Sequence, residues 1–410
     1  MRSATTAASP LALPPSAPAA ARALFALLRR LHTGTLDVQL PDGGQLHFGA
    51  GAPGQPHAAL RLHNWTMCAA VLRSGDIGFA ETFIAGDWAA NDLVALLQLV
   101  IANRDAMESI VYGTWWGNLL NRVRHLFNRN SRAGSKRNIH AHYDLGNTFY
   151  KLWLDETMTY SSAWLNGNLA QDTASAQRAK IHRALTECQV QPGHRVLEIG
   201  CGWGGLAEAA ARDFGAQVIG VTLSAEQLSF GQARLDRAGL SAQASLRFQD
   251  YRDIADGPFD AIASIEMFEA VGREYWASYF STLHDQLKPG GRACIQSITI
   301  HDDLFERYVA GTDFIQQYIF PGGLLPSPSA FRAEAAKAGL QVERQLAFGS
   351  DYAETLRRWR HEFLHQNTQV RGLGFDTRFM RTWEFYLAYC EAAFTSGNTD
   401  VMQFTLRRPA

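Results

Sequence analysis

The chain has 410 residues, 47% of them hydrophobic, and its 38 Lys and Arg against 39 Asp and Glu leave a formal net charge of −1. That is material for a large buried core and two domains, and the near-neutral balance gives nucleic-acid binding no bulk electrostatic support. Five scattered cysteines, Cys68, Cys188, Cys201, Cys294 and Cys390, contain no C-x-x-C pair, which argues against a disulfide framework or a zinc site and for a reduced, cytoplasmic setting.

The first 20 residues are rich in Ala, Pro, Ser and Thr, and Pro14, Pro15 and Pro18 break any apolar run that would serve as a signal core, so residues 1–20 read as a mobile tail. Residues 21–121 read as a smaller N-terminal α+β domain. It has short strands and turns over 34–74, with Pro41-Asp42-Gly43-Gly44 as a hairpin signal, then a helix from about Leu93 to Met107. Leu93 to Ala102, the longest strongly apolar stretch without charge, is about half of what crosses a bilayer, so membrane contact is expected to be peripheral. This domain shows no catalytic constellation and is read as a supporting or lipid-facing module. Residues 122–139 form a basic linker, from Arg122 and Arg124 through Arg132 to Lys136 and Arg137, suited either to anionic headgroups or simply to solvent.

Residues 140–410 carry a regular α/β pattern, with strands predicted near 194–199, 216–221, 245–248, 258–264, 291–299, 340–347 and 402–407. The run Val196-Leu197-Glu198-Ile199-Gly200-Cys201-Gly202-Trp203-Gly204-Gly205 ends an apolar strand in glycines, which tolerate positive φ and let a backbone turn approach a ligand. A second strand, Gln217 to Val221, follows about one βαβ unit later. The form resembles the first motif of class I methyltransferases more than a dinucleotide fingerprint, which implies S-adenosyl-L-methionine (SAM) as cofactor. The expected fold is therefore α/β, a class I SAM-dependent methyltransferase with a Rossmann-like sheet. His140 and His142 have no further ligands near them in sequence, so a metal is not expected.

Four blocks together resemble a more specific family. They are His142-Tyr143-Asp144-Leu145-Gly146-Asn147, Met158-Thr159-Tyr160-Ser161-Ser162-Ala163, the glycine loop with Gly220-Val221-Thr222-Leu223-Ser224, and Phe320-Pro321-Gly322-Gly323. The resemblance is to the cyclopropane-fatty-acyl-phospholipid synthases and mycolic-acid methyltransferases, over roughly residues 140 to 410. It implies that the SAM methyl carbon is transferred to a cis double bond of a phospholipid acyl chain, with aromatic faces stabilising the resulting carbocation and a base removing a proton so that a ring closes. In the family that base is thought to be a bound bicarbonate.

Carried over residue by residue, the resemblance places Tyr160 and Ser161 at the methionine end of SAM, Gly200 and Gly202 beneath it, Thr222 and Gln227 around the ribose, and Tyr251 near the adenine. Ser224 and Gln227 also read as a capping box, and Tyr251 also reads as a core aromatic. Glu269 is the carboxylate that would orient the proton-accepting ion, with Tyr352 completing the site, whereas Glu266 reads as a polar residue of a first helical turn. Ser162, Gln296 and Ile298 occupy the remaining anion-site positions; Ser162 and Gln296 stand where the best-known members have cysteine and histidine. Those two departures put bicarbonate binding and the product in doubt, leaving a methylene or methyl branch as the alternative to a ring. Cys390 aligns with a C-terminal cysteine of the family site, although methylating an alkene needs no thiolate and packing is the reading preferred here.

The insertion Asp303 to Phe320 suits either the wall of an acyl channel or a hydrophobic helix pair packed on the sheet. The expected partner is unsaturated phospholipid in the membrane, with no nucleic acid and with a homodimer left open. The protein is expected in the cytoplasm, on the inner face of the membrane. Outside this reading stand methylation of a soluble metabolite and a non-catalytic lipid-binding relative.

Overall fold

The computed structural model describes residues 13–105 and 145–410. The predicted linker 122–139, Met107, His140 and His142 lie outside the described residues. The chain divides into two compact units, Met1–Leu120 and Asn121–Ala410.

In the first unit a helix, Ala19–Leu28, begins inside the stretch expected to be a tail. Alternating burial then builds a four-stranded sheet from β1 (Thr35–Gln39), β2 (Gln45–Phe48), β3 (His57–Leu62) and β4 (Trp88–Ala90), in the order β2-β1-β3-β4. Leu36, Val38, Leu46, Phe48, Leu60 and Leu62 form its buried face. The hairpin signal holds: Leu40 N–H donates to the Gly44 carbonyl at 2.8 Å. Residues 66–74, expected among strands and turns, instead open the helix Thr66–Ala85, because Met67, Cys68, Ala70 and Val71 fall on one buried helical stripe. The helix expected to reach Met107 runs Leu93–Ala102 and stops at Asn103. That side chain is fully buried and turns back to the Leu99 carbonyl, the Thr33 carbonyl and the backbone N–H groups of His32 and Thr33.

The second unit is organised by a seven-stranded sheet ordered β10-β11-β9-β8-β5-β6-β7. Its strands are β5 (Arg195–Ile199), β6 (Gln217–Thr222), β7 (Ala244–Phe248), β8 (Phe259–Ile265), β9 (Leu287–Ile300), β10 (Gln341–Ala347) and β11 (Thr399–Arg407). The pairs among β5 to β9 are parallel, while β11 pairs antiparallel with both β9 and β10. Each predicted strand appears within a few residues of its expected position. Two cores cover the sheet, one dominated by aromatic side chains such as Phe268, Tyr279, Phe280, Phe331 and Phe404, the other by small ones such as Ala184, Ala207, Ala210 and Ala263. Leu197 and Ile199 of β5 enter the first and Val196 the second, as strand alternation requires.

Strand order reverses at β5: the chain moves outward through β6 and β7, then returns to place β8 on β5's other side. Loops leaving the carboxyl ends of β5 and β8 therefore diverge and open a crevice, where ligands of open α/β sheets bind. The loop after β5 is held close to its neighbours by small residues. Gly204 caps the helix Gly205–Phe214 at φ 80°, and a Cβ there would lie 3.2 Å from the Gly231 Cα and 3.3 Å from a Leu246 methyl. Gly204→Ala therefore adds left-handed strain to a crowded contact, and we expect a loss of about 1–3 kcal/mol in chemical denaturation, with weaker binding of SAM by calorimetry. Unchanged stability and affinity would show that the loop's close packing does not shape the crevice.

Candidate active site

One cavity lies over the carboxyl ends of β5 and β6. Gly200, Gly202 and Gly204 all have positive φ, and a Cβ on Gly200 would come within 2.7 Å of the Met267 side chain, so the loop lies flat beneath the cavity only with glycine there. Tyr160, Ser161, Gly200, Gly202, Thr222, Gln227 and Tyr251 all line this space. Ser224 does cap the following helix through Gln227 N–H, but the reciprocal half of a capping box is replaced. Thr222 Oγ1 accepts from Ser224 N–H at 3.1 Å and donates to Gln227 Oε1 at 3.0 Å, leaving the glutamine at the cavity wall. Tyr251 stacks edge-on against Tyr279, and burial pushes its phenol up to about 12.

A second, apolar cavity opens beside the first. Ile298, Ile315, Phe320, Leu324, Leu325, Leu356 and Phe394 supply most of its wall, and Tyr160, Glu266 and Ala270 line both cavities. The insertion forms two helices, Asp302–Ala310 and Phe314–Tyr318, and Tyr308, Ile315 and Gln316 from them face this cavity. Tyr160 stands between the cavities in an aromatic cluster, with ring centroids 5.3 Å from Trp359, 5.4 Å from Tyr150 and 5.5 Å from Trp153. Its hydroxyl pairs with that of Tyr386 at 2.7 Å.

At the junction the structure corrects the reading of Glu266. It is no residue of a first helical turn. Glu266 follows β8 directly in the left-handed conformation, φ 50°, with its N–H bonded to the Gln296 carbonyl, and this turn carries the side chain into the interior. Oε1 accepts from Ser162 N–H at 2.9 Å and Gln296 Nε2 at 2.7 Å, while Oε2 accepts from the Tyr352 hydroxyl at 2.7 Å. Burial raises the Glu266 carboxyl above its ordinary range, opposed chiefly by the charge of Lys180 and then by these donors. Ser162 thus contributes its backbone: its hydroxyl donates to the Ala163 carbonyl instead. Three of the groups expected around bicarbonate, Ser162 N–H, the Gln296 amide and the Tyr352 hydroxyl, are already engaged by a carboxylate, so they do not fit a second anion at that position.

Glu269 lies in the short 3-10 helix Phe268–Ala270 and faces the apolar cavity. Ile298 N–H donates to its Oε1, while Oε2 is buried without a hydrogen-bond partner among the described residues. Burial first, and the Glu266 charge second, push its carboxyl up to about 8, so near neutral pH it is mainly protonated. Cys390 also lines the apolar cavity, with its thiol raised by burial, which leaves it a packing group rather than a thiolate.

Lys180 is a further site residue that the sequence reading missed. It is fully buried, lines the cofactor cavity, donates to Ser161 Oγ at 2.5 Å, and is lowered to about 8 by desolvation against the attraction of Glu266 and Asp155. Its signal was a lysine on the buried stripe Ala176, Gln177, Ile181, Ala184 and Leu185 of the helix Thr173–Glu187. Glu198, at the end of β5, is also buried beside the cofactor cavity, with Oε2 unpartnered among the described residues.

Comparison with known proteins shows the family to which the chain belongs. Residues 130–404 match the mycolic acid cyclopropane synthetase family. The chain is 41% identical over 405 residues, 96% of its length and 93% of the relative's, to a tuberculostearic acid methyltransferase of Mycobacterium tuberculosis. It is 34% identical over 362 residues, 88% of its length and 90% of the relative's, to a cyclopropane-fatty-acyl-phospholipid synthase of Escherichia coli. The mycolic acid cyclopropane synthase CmaA1, solved with SAH and CTAB, superimposes with a TM-score of 0.62 at 32% identity, covering 66% of this chain and 98% of that one. The chain belongs to the mycolic acid cyclopropane synthetase family, and it is a SAM-dependent methyltransferase.

Proposed function

We propose that this enzyme transfers the SAM methyl carbon to a cis double bond in the acyl chain of an unsaturated phospholipid at the membrane surface. The observation that carries this reading is the apolar cavity that meets the cofactor cavity at Tyr160, Glu266 and Ala270. A soluble polar metabolite would find few partners along a wall of Ile298, Ile315, Phe320, Leu324 and Leu356, whereas an acyl chain is matched to it. Among the described residues no helix is long and apolar enough to cross a membrane.

When bound, SAM supplies an electrophilic methyl carbon on a sulfonium. Gly200 and Gly202 allow its close approach, Thr222, Gln227 and Tyr251 line the nucleoside end, and Tyr160 and Ser161 the methionine end. An alkene is a poor nucleophile, so the chain's main resources are proximity and exclusion of water. The aromatic cluster around Tyr160 offers negative ring faces to the carbocation left on the substrate. Both a ring and a methylene branch then require loss of a proton from the transferred methyl group; they differ in whether a hydride shift comes first. The methylene product is favoured by the 41% identical relative, whose name is that of a methyltransferase rather than a cyclopropane synthase, and by the altered positions Ser162 and Gln296.

Incubation of the protein with SAM and vesicles of cis-unsaturated phospholipid, followed by gas chromatography with mass spectrometry of the released fatty acids, is expected to show chains heavier by one CH2. Ring or branch standards then name the product. No lipid product, with turnover of a soluble acceptor instead, overturns the proposal. Ala393 lines the apolar cavity, and Ala393→Trp should lower lipid turnover at least ~10-fold while calorimetric SAM affinity changes little, as expected when only near-attack positioning of the chain is lost. Equal loss of SAM binding would mean that the two cavities are not separate subsites.

A further inference from the structure

We infer that Glu266 is the proton acceptor of this enzyme, a built-in carboxylate standing where the family resemblance expects a bound bicarbonate. The inference rests on the acyl methyl-transfer reading and supplies the group that completes it. Glu266 alone among the carboxylates of the site lines both cavities, so it faces the place where a methyl group passes from cofactor to acyl chain. A carboxylate has about four acceptor positions. Ser162 N–H, the Gln296 amide and the Tyr352 hydroxyl use three, which leaves acceptor capacity for a proton. The Gln296 amide is held donor-side toward Glu266 because its own oxygen accepts from Gln403 Nε2 at 3.0 Å.

The step balances without an added ion. The alkene π pair forms the new bond to the methyl carbon, the S–C pair remains on sulfur, and one former alkene carbon is left cationic. Glu266 takes a proton from the transferred methyl group. The C–H pair then closes the ring onto the cationic carbon or, after a hydride shift, forms the C=C bond of a methylene branch. Glu266 is left as a neutral acid and returns the proton to solvent. A saturated methyl branch needs a further two-electron reductant, so it is not a product of this step.

The titratable and charged groups that face Glu266 are Lys180 from the helix Thr173–Glu187, Tyr352 from the helix Gly349–His365 and Glu269 from its own loop. Lys180 acts through Glu266 and is a positioning residue. Removing its charge takes away the largest influence that holds the Glu266 carboxyl down, so the acid limb of the turnover profile in Lys180→Met should move upward by about 1 pH unit or more. An equal loss at every pH would make Lys180 merely structural.

The deciding experiment compares the unmutated enzyme, Glu266→Gln and Glu266→Gly in carbon-dioxide-free buffer with and without added bicarbonate, using SAM and cis-unsaturated phospholipid vesicles. Glycine suits the φ of 50° at this position and vacates the carboxylate's space. The unmutated enzyme should turn over equally in both buffers. Glu266→Gln should lose about 100-fold or more, with SAM affinity held within about threefold. Glu266→Gly should be inactive without bicarbonate and recover at least ~10-fold with it. A bicarbonate requirement in the unmutated enzyme, near-normal turnover by Glu266→Gln, or loss of SAM binding in both variants overturns the inference. Failure of the unmutated enzyme to methylate lipid in either buffer instead removes the functional reading beneath it.

Discussion

The buried Glu266 carboxyl organises this site. Removing a carboxylate from water costs several kcal/mol, and the protein offsets that at Glu266 with three hydrogen bonds, of a kind worth about 1.5–3 kcal/mol each, and with the field of a buried lysine. The three donors and the lysine come from four separate places in the chain: the segment at Ser162, β9 at Gln296, and the helices that carry Tyr352 and Lys180. Holding one charge therefore fixes the mutual positions of the segments that divide the cofactor cavity from the apolar one. The second carboxylate, Glu269, lacks such support at Oε2 and is pushed toward its neutral form. Two acids three residues apart are thus given different surroundings, one with three donors and a lysine, the other with an unpartnered oxygen.

The sheet explains why this can happen in one crevice. Reversal of strand order at β5 sets the glycine loop beside the turn that follows β8, so backbone without side chains lies next to a residue turned sharply inward. The left-handed Glu266 stores local strain that the surrounding hydrogen bonds maintain. Such strain belongs where chemistry requires a side chain to leave the strand's alternation. The apolar cavity is added by the insertion between β9 and β10 and by the C-terminal helix Thr377–Thr395, which contributes Tyr386, Tyr389 and Cys390.

Much of the architecture was legible because strands of a parallel sheet write themselves as short apolar runs separated by turn residues. The five parallel strands of the larger sheet read this way, and the residues assigned to the cofactor do gather around one cavity. The helix Thr66–Ala85 was less legible because Gly75 and Gly78 interrupt its apolar stripe, and the end of Leu93–Ala102 was hidden because Asn103 stops it through long-range bonds to residues 32 and 33. Glu266 was misread for a similar reason. Its neighbours resemble a helix start, and only the tertiary arrangement reveals Ser162, Gln296 and Tyr352 converging on it. Lys180 needed the same information: a lysine on an apolar stripe is visible in sequence, but the carboxylate that it faces is not.

The charge state of Glu266 is the most direct test of the account. Infrared difference spectra of the protein against Glu266→Gln, near neutral pH and with and without 13C-labelled glutamate to assign the bands, should show the paired stretches of an ionised carboxylate at this residue. A protonated carboxyl band at Glu266 under the same conditions would contradict the account, because a neutral acid at the junction of the two cavities has no lone charge with which to take the proton.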